Sequence, residues 1–143
     1  MGSYKNPDFV QKKNILNASK LLRQTKAEIK LQSFEKVLKK ANSGDFVYFD
    51  PPYDTLTETA NFTSYNQSEF GRDMQTRLAE VFFELDARGC KVMLSNHNTP
   101  FIRELYKGLK VKKLSFKIVK ARRNINSKSS GRGEVEEVVI INY

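Results

Sequence analysis

The sequence predicts an α/β fold, and three observations carry that prediction. Phe46-Val47-Tyr48-Phe49 and Lys91-Val92-Met93-Leu94-Ser95 are short, β-rich runs of the kind buried in a sheet. Between them a helical stripe runs from Phe70 to Arg88. Val111 to Val119 and Val135 to Ile141 then read as the closing strands, separated by a Ser/Gly/Arg-rich loop. Strand, helix, strand, helix and a hairpin of strands is an α/β order.

Each element has its own warrant. Asn6-Pro7-Asp8 is a turn and helix-start signal, with Pro and an acidic residue suited to a first turn. Phe9, Val10, Ile15, Leu16, Leu21 and Leu22 mark an amphipathic helix whose other face is Lys12, Lys13, Lys20 and Arg23. Ala27-Glu28-Ile29-Lys30-Leu31 alternates like a short strand. Ser33 is a cap for a helix from Phe34 to Ala41, which Asn42-Ser43-Gly44 ends. Asp54 to Ser68 has no periodicity and reads as a mobile polar loop. The next helix places Met74, Leu78, Val81, Phe82 and Leu85 on one stripe and closes at Gly89. Asn98-Thr99-Pro100 opens another, through roughly Lys107.

Length and composition narrow the class. At 143 residues the chain is about one domain, and such a chain buries roughly 68–70% of its unfolded surface without help from disulfides. Its single cysteine, Cys90, makes neither an intramolecular disulfide nor a cysteine-rich zinc site. The longest uncharged apolar run, Val138 to Ile141, is far short of the ~20 residues of a membrane span. The N-terminus is polar and lacks the apolar stretch of a secretory signal. The expectation is a soluble, cytoplasmic protein without membrane partners.

Charge is distributed unevenly along the chain. Residues 1–44 carry 10 basic and 3 acidic side chains, residues 45–90 carry 3 and 9, and residues 91–143 carry 12 and 4. An acidic middle between two basic arms suits a polyanion held around a site that is not itself basic. Ordinary solvated lysines give the same sums, so charge alone leaves both readings open.

Asp50-Pro51-Pro52-Tyr53 is the strongest chemical signal. It follows a strand directly, where open α/β sheets place their ligands. Two prolines fix φ near −65° at adjacent positions and offer carbonyls without competing N–H donors. Asp50 and the Pro51 carbonyl are then fixed acceptors for a donor such as an amino group. Tyr53 supplies a flat ring on which a planar base can stack. The plainer alternative is a rigid strand-exit turn with a surface tyrosine. His97 is the only histidine, and Ser95-Asn96-His97 closes a strand ahead of a helix, so it reads either as local packing or as the wall of a base pocket. No metal is required, and one histidine with one cysteine does not make a metal site.

Five ordered motifs extend the signal: Tyr4-Lys5-Asn6-Pro7, Asp50-Pro51-Pro52-Tyr53, Ala60-Asn61-Phe62-Thr63-Ser64-Tyr65, Ser95-Asn96-His97-Asn98-Thr99, and Arg123-x-Ile125 with Arg132-x-x-Glu134-Val135-x-Glu137. In this order and spacing the chain resembles the Dam-type, D12 class adenine-specific DNA methyltransferases, and the resemblance covers essentially its whole length. It implies a Rossmann-like class I methyltransferase fold, with a mixed sheet and flanking helices, of which this chain is the C-terminal half. Family members are roughly twice as long, and a Phe-x-Gly-x-Gly loop in their N-terminal part cradles S-adenosylmethionine. No Gly-x-Gly precedes Asp50 here, and Gly131-Arg132-Gly133 reads as a basic loop. Residues 1–24 would then end a target-recognition helical domain, and residues 25–143 would belong to the catalytic domain.

The resemblance also implies the chemistry: transfer of a methyl group from S-adenosylmethionine to the N6 amino group of adenine in double-stranded DNA. Such enzymes serve restriction–modification or housekeeping marking in bacteria and their phages, and GATC is the commonest target of the Dam-like relatives. Asp50, Pro51, Pro52 and Tyr53 are the expected catalytic residues, with Asp50 and Phe49 bordering the cofactor. Tyr4, Lys5, Tyr65, Arg122, Arg123, Lys128 and Arg132 are the expected DNA contacts, the last four within a stretch from Lys110 to Arg132 that holds 9 basic residues and no acidic ones. The partners this implies, besides DNA, are the missing N-terminal half or a second copy of the chain in a homodimer. An inactive DNA-binding remnant is the main alternative. Methylation of RNA or protein is a further one, although relatives that methylate glutamine usually carry Asn where this chain has Asp50.

Overall fold

The computed structural model describes residues 11–55, 70–122 and 134–143. The chain forms two compact units, Met1–Gln32 and Ser33–Tyr143. In the first, helix α1 spans Lys12–Gln24 and buries none of its residues. Thr25 closes it by donating its hydroxyl to the Leu21 carbonyl at 2.9 Å. The strand expected at Ala27 to Leu31 is absent: this stretch has no regular structure, and Ile29 and Leu31 stand almost wholly in solvent. A strand needs a partner for its ladder, and α1 is the only regular element among the described residues of this unit.

The second unit opens with a 3₁₀ helix, Phe34–Lys39, where the sequence predicts a longer α-helix. Ser33 caps it as expected, accepting the Glu35 N–H at 3.4 Å. At six residues it is long for a 3₁₀ run. The chain then turns at Asn42, whose N–H is taken by the Asp45 carboxylate at 2.9 Å.

Four strands follow: β1 at Phe46–Phe49, β2 at Lys91–His97, β3 at Ser115–Arg122 and β4 at Glu134–Ile141. They form one mixed sheet in the order β1-β2-β4-β3. β1 and β2 are parallel, with Val47 opposite Val92 and Phe49 opposite Leu94. β4 lies antiparallel to both neighbours, placing Ile140 between Leu94 and Phe116. β3 starts at Ser115 and not at Val111, because Ser115 pairs with Ile141 and β4 extends no further.

α2, Arg72–Ala87, fills the crossover between the parallel strands, and α3, Pro100–Lys107, follows β2. α2 buries Leu78, Val81, Phe82 and Leu85 as its stripe predicts, and also Gln75 and Ala79, whereas Met74 is half-buried. Gly89, at φ 80°, turns the chain out of α2 in the left-handed region, with its N–H on Asp86 at 2.9 Å. The core joins these helices to Phe49, Val92, Leu94, Val138 and Ile140, and the Phe82 and Tyr106 rings meet edge-on at 5.4 Å. Each fully buried residue of this size contributes roughly 1.5–3 kcal/mol.

Candidate active site

Asp50 leaves β1 at its carboxyl end, beside the neighbouring parallel strand. Its side chain is exposed, and Ser95 on β2 donates a hydrogen bond to its Oδ1 at 2.9 Å. The single proton of Ser95 is committed there. The Tyr48 hydroxyl, 3.0 Å from Ser95 Oγ, is therefore the donor in that contact. The result is a directed chain from Tyr48 through Ser95 to one oxygen of Asp50.

The rest of the loop is held from below by buried polar groups. Gln75 on α2 donates from Nε2 to the Pro52 carbonyl at 2.7 Å. Asn96 on β2 donates to Gln75 Oε1 at 3.1 Å and accepts the Asp54 N–H at 2.8 Å. The Asp54 carboxylate, itself buried, accepts from Thr99 Oγ1 at 2.6 Å and lies 3.6 Å from Arg72 Nε. Thr99 also caps α3 by accepting the Ile102 N–H at 3.2 Å. The Arg72 guanidinium sits 4.6 Å over the Phe101 ring.

Tyr53 is half-buried, with its ring edge-on to His97 at 5.0 Å. Burial pushes its phenol pKa up, and the charges of Glu137 and Asp50 reinforce the rise. Tyr53 therefore stays neutral at physiological pH. His97 is buried, and its Nδ1 lies 2.5 Å from the Asp54 carbonyl oxygen, which can only accept. That contact places a proton on Nδ1. The lone histidine thus packs beneath the loop and forms part of the wall behind Tyr53.

A recess of about 150 Å³ opens beside Asp50, lined by Phe34, Phe49, Phe70, Pro51, Tyr48 and Leu78. Phe34 and Phe70 meet edge-on at 5.8 Å within it. The structure therefore gathers Phe49, Asp50, Pro51, Pro52 and Tyr53 at one place. Arg122 ends β3, its backbone paired with Glu134. Tyr4, Lys5, Tyr65, Arg123, Lys128 and Arg132 lie outside the described residues. Sequence reasoning missed Gln75, and it missed Asp54 and Asn96 as anchors of the loop. A signal existed for two of these: Gln75 interrupts the apolar face of α2, and Asn96 shares the core face of β2 with Leu94.

These features define a mixed α/β domain with a polar, aromatic-walled site where its two parallel strands end. Residues 1–125 match the family described as D12 class N6 adenine-specific DNA methyltransferase, and the chain belongs to that family. It is 44% identical to the Type II methyltransferase M1.LlaDCHI of Lactococcus lactis subsp. cremoris over 99% of this chain and 48% of that protein. It is 44% identical to the Type II methyltransferase M.MjaIII of Methanocaldococcus jannaschii, over 99% and 47%. With the DNA adenine methylase of Escherichia coli K12 the identity is 34%, over 98% and 48%. The chain spans about half the length of the curated relatives it matches.

Proposed function

We propose that this chain carries the catalytic loop of an enzyme that transfers a methyl group from S-adenosylmethionine to the N6 amino group of adenine in DNA, in a Dam-type or restriction–modification setting. The observation that carries the reading is the oriented carboxylate at the end of β1, with one Asp50 oxygen tied to Ser95 beside a half-buried Tyr53. Family membership and the names of the relatives support it.

The amino nitrogen of adenine is a weak nucleophile, because its lone pair is delocalised into the ring. Asp50 and the Pro51 carbonyl accept its two hydrogens, which favours a pyramidal nitrogen with the lone pair free to attack. The same acceptors stabilise the positive charge that develops on the nitrogen. They are already fixed in place, so little reorganisation accompanies the step. A duplex hides this nitrogen, so the base is flipped out, and Tyr53 is its stacking platform.

S-adenosylmethionine, when bound, supplies the electrophilic methyl group on a sulfonium. The recess beside Asp50 has aromatic walls and one carboxylate, a donor set suited to part of a flat, cationic molecule. Phe49 and Asp50 are the residues of this chain assigned to hold it. The four-stranded sheet is read as part of a Rossmann-like class I fold, with residues 1–24 ending a target-recognition domain and residues 25–143 in the catalytic domain. Tyr4, Lys5, Tyr65, Arg122, Arg123, Lys128 and Arg132 are assigned to DNA.

Labelled-methyl transfer to unmethylated duplex DNA, with Asp50→Ala as control, tests the reading. Transfer abolished in the control is the expected result. Absence of transfer by the wild-type chain, with and without the N-terminal half of a relative added, would reject it in favour of a DNA-binding remnant.

A further inference from the structure

We propose that Gln75 and Asn96 form a buried clamp that sets the direction of the Tyr53 ring, and so act as positioning residues for the loop. Both are enclosed, Gln75 2% and Asn96 0% exposed, on α2 and β2 respectively. Gln75 binds the carbonyl of Pro52, and Asn96 binds the N–H of Asp54. These two groups belong to the peptide planes immediately before and after Tyr53. Holding both planes fixes φ and ψ of Tyr53, and with them the direction in which its side chain leaves the backbone. The Asn96–Gln75 hydrogen bond locks the two halves of the clamp together. Asn96 Oδ1 also takes the His97 N–H at 2.8 Å, which leaves its carboxamide no second orientation.

An apolar pair would fill the same space without the cost of burying two carboxamides. Gln75 lies in a helix face otherwise made of Leu78, Ala79, Val81, Phe82 and Leu85, and Asn96 on the core face of β2 beside Leu94. Their polarity is thus spent on the loop. The consequence for catalysis rests on the function proposed above; the clamp itself is a matter of geometry.

The test is carried out on the full chain by amide hydrogen exchange and by the NMR signals of the Tyr53 ring. In Gln75→Leu the expected result is about tenfold faster exchange at Asp54 and displaced ring signals, with the β2–β4 ladder still protected. Unchanged Asp54 exchange and ring signals in a folded Gln75→Leu chain would overturn the proposal.

Gln75→Glu covers the case in which the leucine variant fails to fold. Protonated, the carboxyl donates to Pro52 and accepts from Asn96, as the carboxamide does; ionised, it turns an acceptor towards the Pro52 carbonyl. Asp54, Arg72 and His97 are ionisable groups of the same cluster, so the wild type is titrated alongside. Wild-type ring signals at about pH 5 that depart from the wild type at about pH 8 are expected. A pH response identical to that of the wild type would overturn the clamp.

If the wild-type chain transfers methyl groups, Gln75→Leu lowers kcat about tenfold at unchanged KM; a change confined to KM would overturn the catalytic consequence. If the wild type transfers none, the functional reading fails while the exchange measurements still decide the clamp.

Discussion

Replacing Thr99 with valine tests how tightly the candidate loop is tied to the fold. Valine has nearly the same shape, so little cavity forms. What disappears is one hydroxyl with two partners: it donates to Asp54 at 2.6 Å and accepts from the first turn of α3 at 3.2 Å. Loss of an N-cap typically costs about 1 kcal/mol. Loss of a hydrogen bond to a buried charge costs about 1.5–3 kcal/mol, and Asp54 is only 6% exposed, so water does not readily replace the donor. The expected sum is about 2.5–4 kcal/mol. Urea unfolding followed by circular dichroism would read this as a midpoint lower by about 1–2 M. Thr99→Ser keeps both contacts and should lose less than about 1 kcal/mol. In an Asp54→Asn background the cost of Thr99→Val should shrink, since no buried charge is then stranded. A loss below about 1 kcal/mol for the valine variant, or an equal loss for the serine variant, would refute the reasoning.

Three other perturbations separate catalysis from packing. Ser95→Ala frees one oxygen of Asp50 from its 2.9 Å donor, and labelled-methyl transfer should fall about tenfold while thermal stability changes little, because Asp50 and Tyr48 are exposed to water. Gly89→Ala places a Cβ in the left-handed region 2.7 Å from Ser43 Oγ, so a loss of about 1–2 kcal/mol is expected by urea unfolding; a Ser43→Gly background should recover only the part due to crowding. Tyr106→Phe removes the one buried side-chain polar atom that lacks a hydrogen-bond partner among the described residues, and should hold or raise the melting temperature. Burial pushes the Tyr106 phenol pKa up, so the unfolded chain ionises first; stability is retained below about pH 10 and falls as pH rises above it. Melting curves across that range should show a smaller fall for Tyr106→Phe.

Local patterns were readable wherever a segment's own residues decide its state. The β-rich runs at Phe46 and Lys91 became neighbouring parallel strands, and the stripe on α2 became its buried face. Alternation at Ala27 to Leu31 misled, because period two over five residues says nothing about whether a partner strand exists. The insertion of β4 between β2 and β3 was equally hidden, since pairing across the sheet depends on contacts remote in sequence. The same limit applies to the site. Asp50 to Tyr53 stand out as four adjacent residues, whereas Gln75, Asn96 and Thr99 are recruited from other elements.

The sheet order has a consequence for how the polypeptide is made. β4 leaves a ribosome after the other three described strands, yet it is the one that joins β2 to β3. Until it emerges, β3 lacks the one neighbour it pairs with among the described strands. Asn142, just beyond β4, then ties that end of the strand to β2 by accepting the Val92 N–H at 2.6 Å and donating to the Cys90 carbonyl at 2.9 Å. Such long-range closure slows folding and leaves apolar strand faces open during synthesis. The loop at Asp50 is synthesised before β4, the strand that ties its supporting sheet to β3.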